Sequence, residues 1–129
     1  MVFKSFEEIE AWQEGRILSK MVHSFTRRAM TKRDWTWANQ TNSAALSVTA
    51  NIAEGNDAQT DPEFINFLGY SKRSAAEVRS HLYAGLDRGY LSKEEFEEAK
   101  KQAEKVAKML ASLIRYLRKN QRSLPRQFS

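Results

Sequence analysis

The chain has 129 residues, no cysteine, two prolines and five glycines, with 29% charged residues and a formal net charge of +5. That length fits one domain, which buries roughly two thirds of the surface exposed by its unfolded chain, enough for one core. The lack of cysteine excludes a disulfide framework and a thiolate zinc site, and no apolar run approaches the ~20 residues that span a bilayer.

The opening MVFKSFEEIE does not read as a signal peptide. The expectation is a cytoplasmic protein with no membrane association. Few helix breakers among many helix formers favour an all-α class. Charge is unevenly placed. Residues 1–92 carry eleven basic and eleven acidic side chains, whereas residues 93–129 carry ten basic and five acidic ones. In that last part Glu94, Glu95, Glu97 and Glu98 come first and the bases follow. Two readings fit: a helix whose charges complement its own dipole, or a basic end that meets phosphate or an acidic partner.

The first helix is expected from Ser5, whose hydroxyl can cap it, with Glu8 three residues on to complete a capping box. Phe6, Ile9, Leu18, Met21, Val22 and Phe25 mark its apolar stripe, which fades near Met30. Residues 31–34 form a short polar connection. The second helix follows Asp34 as N-cap. Ala38, Thr41, Ala45, Val48 and Ile52 give it one face of mostly small residues, so a neighbour can approach closely. Gly55 is expected at C′, in the left-handed conformation. Residues 56–60 form the loop.

The third helix is expected to have Asp61 as cap and Pro62 at its first position. Phe64, Phe67, Leu68, Ser71, Ala75, Val78, Leu82 and Leu86 form its stripe, and Gly89 ends it. The fourth starts at Ser92, with Glu95 completing a capping box and Leu91 stapling onto Phe96. Phe96, Ala99, Ala103, Val106, Leu110, Leu113 and Leu117 then alternate steps of three and four, a heptad seam. Short connections make each helix run antiparallel to the one before. The sequence therefore predicts an antiparallel up-down-up-down four-helix bundle over residues 1–120 and a flexible C-terminal tail over 121–129.

Three chemistries can be weighed. Di-metal carboxylate sites in bundles need Glu-x-x-His on inward faces. Neither histidine fits: Lys20 stands three before His23, and Val78 three before His81. No G-x-S-x-G and no glycine-rich phosphate loop occurs. Asn51 and Glu54 share a face in the last turn of the second helix, but no nucleophile or third group accompanies them. Neither a catalytic residue, a metal nor a cofactor is expected. The structural reading makes Asn51, Glu54 and Gly55 a polar network. Asn51 would hydrogen-bond to a neighbouring helix, and Glu54 would meet a basic side chain or the first N–H groups of the third helix. Trp35 and Trp37, two apart, project about 200° from each other on a helix. Both cannot face one core, so they are candidates for an interface between copies.

The order of four segments resembles a known family. These are FEEIEAWQEGRILSK, with Phe6, Ile9 and Trp12 in an F-x-x-I-x-x-W pattern; SVTANIAEG at residues 47–55; FINFLGYSKRSAAE at residues 64–77; and GYLSKEE at residues 89–95. Together they are similar to the ribosomal-RNA intervening-sequence four-helix bundle family, over nearly the whole chain to about Asn120. That resemblance implies a left-handed antiparallel bundle assembling into a ring-shaped homopentamer. The family is also similar to the accessory variability determinant of diversity-generating retroelements, a basic pentamer that binds a reverse transcriptase and nucleic acid.

This chain departs from the family pattern around the second helix. Asn42 and Ser43 replace a frequent basic pair, Thr49 stands at a proline position, and Asn56 and Asp57 follow the glycine where Arg is common. Nucleic acid, if bound, is therefore expected on the C-terminal bases: Lys101, Lys105, Lys108, Arg115, Arg118, Lys119 and Arg122. Two functions remain: a non-catalytic oligomeric assembly and interaction protein, a scaffold for a protein partner, or a nucleic-acid-binding accessory protein.

Overall fold

A computed structural model of the chain describes residues 3–120. Arg122 and the expected tail over 121–129 lie outside them. A 3-10 turn, Phe6–Glu8, leads into α1 (Glu10–Thr31), α2 (Trp35–Asn56), α3 (Asp61–Asp87) and α4 (Lys93–Lys119). No strand occurs among the described residues.

The helix starts follow local chemistry, with two corrections. Ser5 does accept a hydrogen bond, from Glu7 N at 3.2 Å, but it caps the 3-10 turn. Glu8 receives Lys4 N rather than closing a box on Ser5. Extended backbone at Ile9 (φ −77°, ψ 116°) then separates that turn from α1. At α3 the cap is Thr60, whose hydroxyl accepts Glu63 N, and Asp61 is the buried first helical residue with Pro62 next. Elsewhere the expected caps hold. Asp34 accepts Trp37 N, and Ser92 and Glu95 form the reciprocal capping box of α4.

Helix ends differ from one another. Gly89 (φ 80°) terminates α3 in a Schellman arrangement: its N–H donates to Leu86 O, and Tyr90 N donates to Gly85 O. Gly55, by contrast, is still helical and has no positive φ. A Cβ on Gly55 would lie 2.8 Å from Phe64 Cδ1 and 2.9 Å from Phe67 Cβ. Its role is close approach of α2 to α3, not a left-handed turn.

Cross-helix contacts fix the antiparallel order. On α1 and α2, Gly15 abuts Val48 and Thr49, and Thr26 reaches Asn42. On α2 and α3, Trp37 meets His81, Val48 meets Ser71, and Gly55 meets Phe64. On α3 and α4, Tyr83 stacks edge-on to Phe96, and Arg79 approaches Glu104. α4 closes on α1 through Arg28–Glu95 at one end and Lys105–Glu14 further along. In each pair, the residue numbers rise on one helix as they fall on the other.

Among the described residues the interior has two apolar clusters. One gathers Leu18, Val22, Phe25, Trp37, Val78, Leu82 and Phe96. The other gathers Ile9, Ile52, Phe64, Leu68, Val106, Leu110 and Leu117. Buried hydroxyls between them are satisfied by backbone: Ser71 Oγ donates to Val48 O and Thr41 Oγ1 to Trp37 O, both at 2.6 Å. The α4 seam follows the expected residues except near its end. There Ile114 is buried and Leu113 only partly so. A straight helix drifts against a strict seven-residue repeat, and that drift brings Ile114 onto the inward face in place of Leu113, while Leu117 stays buried as expected.

Candidate functional site and interaction surfaces

The two histidines lie on different helices, His23 on α1 and His81 on α3. His81 Nε2 is 3.4 Å from Glu77 Oε2 on the same helix, and the His81 carbonyl accepts Trp37 Nε1–H at 2.9 Å. His23 sits on α1 beside Arg16, Lys20 and Leu46. Among the described residues no group of three His, Cys, Asp or Glu side chains could hold a metal ion. No helix of the described chain is long and apolar enough to cross a membrane.

The NIAEG segment is arranged differently from the expected network. Asn51 Nδ2 donates to Ser47 O at 2.8 Å, one turn back on its own helix, so it does not bridge to a neighbour. Glu54 is exposed, and no hydrogen bond or ion pair joins its carboxylate to the described residues. The buried polar residues at this corner are Asn56 (3% exposed) and Asp61 (1%). Both sit where α2 hands over to α3. Asparagine and aspartate in a loop usually read as turn residues, and only the fold brings these two inside.

Around Asp34, at the opposite end of the bundle, a polar clamp ties two connections together. Its carboxylate accepts Tyr90 Oη at 2.8 Å and Arg88 Nη1 at 2.9 Å, besides capping α2. The Tyr90 hydroxyl, with Trp37 N and Arg88, holds the Asp34 carboxyl below its ordinary pKa. Nearby, Arg28 donates twice to Glu95 at 2.8 Å, a bidentate pair, and once to Tyr90 O. The Arg28 guanidinium, together with Ser92 N, pulls the Glu95 carboxyl down to about 2.

The two tryptophans divide. Trp37 is 4% exposed inside the first apolar cluster and packs on Tyr90, with ring centroids 5.1 Å apart. It belongs to this chain's own core and offers no surface to another copy. Trp35 is 52% exposed. On the same side of α2, three turns on, Leu46 is 60% exposed. The other exposed positions of α2 are Thr36, Asn39, Gln40, Ser43, Ala50 and Glu54. Only Glu54 carries charge. A strip about 33 Å long is thus almost free of charge on a molecule that is 29% charged residues. No sequence motif marked Leu46; its signal was position, outside the small-residue stripe of α2.

The basic residues of α4 do not form one patch. Lys101, Lys105, Lys108, Arg115, Arg118 and Lys119 are all exposed. Lys105 is ion-paired to Glu14 on α1 at 2.9 Å. Lys108 borders an apolar recess of about 450 Å³ between the start of α1 and α4, with Phe3, Ile9, Met109 and Leu113. Arg115 and Arg118 face the other way. They share a groove of about 450 Å³ with Lys72 and Arg73 of α3. Sequence reading missed Lys72 and Arg73, because their partners on α4 lie some forty residues away along the chain.

Caps, seams and contacts together define an all-α, antiparallel four-helix bundle protein. The chain belongs to the 23S rRNA-intervening sequence protein family, which matches it over residues 7–112. Its fold is similar to that of a protein of unknown function from the S23 ribosomal protein family of Bacteroides thetaiotaomicron VPI-5482, seen in a crystal structure at 1.70 Å resolution. The TM-score is 0.76 at 21% sequence identity, covering 81% of this chain and 97% of that one. No curated protein matches the chain.

Proposed function

We propose that the chain acts as a non-catalytic, self-assembling bundle, a scaffold whose copies pack along the outer face of α2. The observation that carries this reading is the nearly uncharged strip with Trp35 and Leu46 exposed upon it. A chain of net charge +5 repels its own copies wherever like charges meet. The face with the fewest charges is the one on which a second copy can close at least electrostatic cost. Ser43 and Ala50 allow close approach there, and Asn39 and Gln40 supply amides for hydrogen bonds. Exposed large apolar side chains on such a face mark interaction sites. The family resemblance, which implies a ring-shaped homopentamer, supports the same reading.

Light scattering coupled to size exclusion tests it. Leu46→Glu places a charge in the middle of the strip and is expected to lower the assembled mass. Asn66→Glu, an equal change on the exposed side of α3, is expected to leave it intact. An unchanged mass for Leu46→Glu would refute the α2 interface.

The second reading, nucleic-acid binding by the basic end of α4, is favoured by one observation: Arg115 and Arg118 face two further cations of α3.

A further inference from the structure

The α3–α4 groove draws its cations from two helices. Four cations surround it, two from each helix: Lys72, Arg73, Arg115 and Arg118. Among the described residues no carboxylate lines it. Elsewhere Arg28, Arg79, Arg88 and Lys105 each approach an acid within 4.0 Å. Among the described residues none of the four groove cations does. Glu77, the acid nearest in sequence to the α3 wall, turns to His81 instead.

The floor is equally specific. Between the cations lie Gly69, Ala76 and Ala111, over the buried Ile114. A Cβ on Gly69 would meet nothing within 4 Å, so the recess is open there. Small side chains lie between long cationic ones from both helices, with the Arg115 guanidinium donating to Ser112 Oγ on its own helix. Cations on facing walls repel one another, and an anion placed between the walls relieves that repulsion. At the rim, Arg73 stacks 5.6 Å from the centroid of Tyr70, a ring that is itself 48% exposed. Cations along a trough with an exposed aromatic at the rim are what single-stranded nucleic acid uses: phosphates in the groove, a base on the ring.

We propose that this groove binds the phosphodiester backbone of single-stranded nucleic acid through Lys72, Arg73, Arg115 and Arg118, with Tyr70 as a platform for an adjoining base. The proposal rests on the nucleic-acid reading of α4 but moves it. Lys101, Lys105, Lys108 and Lys119 drop out, and two residues of α3 enter. It does not depend on self-assembly, because all four cations come from one chain. A rigid duplex touches only the rim of such a recess, whereas one strand enters it.

The test uses the full chain and fluorescence anisotropy with a labelled oligouridylate across a salt series. Two groove variants, Lys72→Gln/Arg73→Gln and Arg115→Gln/Arg118→Gln, are compared with Lys101→Gln/Lys119→Gln, which removes the same charge from α4 outside the groove. Circular dichroism melts and light scattering confirm that fold and assembled mass are unchanged, which separates loss of binding from loss of assembly. Each groove variant is expected to weaken binding at least about ten-fold at low salt and to reduce the slope of log affinity against log salt by about 1.4, the share of two phosphate contacts on a single strand. The control variant is expected to stay near the native affinity. Equal weakening by the control would overturn the proposal. So would absence of binding at low salt, tighter binding of duplex RNA than of the single strand, or displacement of the RNA by polyglutamate of matched charge.

Discussion

Trp35 and Trp37 sit about 200° apart around α2, and that rotation decides what each contributes. Trp37 fills the space between α2, α3 and the Tyr90 turn, and its indole N–H is satisfied by the His81 carbonyl. Trp37→Ala is expected to cost about 3–5 kcal/mol of protomer stability, as buried aromatic deletions do, measured by urea unfolding. Trp35→Ala, at a half-exposed site, is expected to change protomer stability by no more than about 0.5 kcal/mol. A large loss at Trp35 measured on dissociated protomers would contradict this division. The glycines give a second contrast. Gly55→Ala gains helix propensity worth about 1 kcal/mol. Its new methyl group, however, would press into Phe64 and Phe67, and overpacking of this kind costs about 1–3 kcal/mol. Gly69→Ala has open space around it and keeps the propensity gain, about 0.5–1 kcal/mol. Thermal melts should therefore move in opposite directions for the two substitutions; a rise for both would show that the α2–α3 contact is looser than described.

At the scale of an element, the start of α4 is held by Glu95, which serves the capping box and Arg28 at once. Its folded pKa of about 2 lies below the ordinary value of 4.5, and the Asp34 carboxyl is shifted the same way. Carboxyls shifted downward stabilise the fold above the unfolded carboxylate range, and that contribution is lost as pH falls from about 4.5 toward 2. Glu95→Gln keeps a hydrogen-bonding cap but removes the charge. Its stability curve over that acid window is expected to be flatter than the native one by about 0.5–1 kcal/mol, a modest amount because Arg28 and Glu95 are partly solvated and screened. Parallel curves from pH 5 to about 2 would contradict the assignment.

The start of α4 was legible in the sequence because the box, the staple and the stripe are all local. Ser92 and Glu95 are three residues apart and need no knowledge of the rest of the chain. Ser5 and Glu8 have the same spacing, yet α1 begins only after Ile9, because extended backbone intervenes. The α2–α3 corner misled for a related reason. Asn51 and Glu54 stand on a helix that reads as core, but Asn56 and Asp61 are the residues that go inside, and only packing against α3 decides that. The groove was half legible: Arg115 and Arg118 were visible as bases on α4, while Lys72 and Arg73 gained meaning only when α3 lay beside them.

At the scale of the molecule, charge is sorted by helix. α1, α3 and α4 carry the ionised side chains, and α2 carries one, Glu54. The bundle does not need that bareness on its outer side, since its core is already closed by the inward stripes of all four helices. A nearly uncharged outer face of α2 is what the proposed contact between copies of a basic protein would use. The most direct measurement is the mass of the unmodified chain in solution, by sedimentation or light scattering across micromolar concentrations. Self-assembly along α2 predicts a multiple of 14.9 kDa, about five-fold if the ring implied by the family resemblance forms. A single species of 14.9 kDa throughout would contradict it.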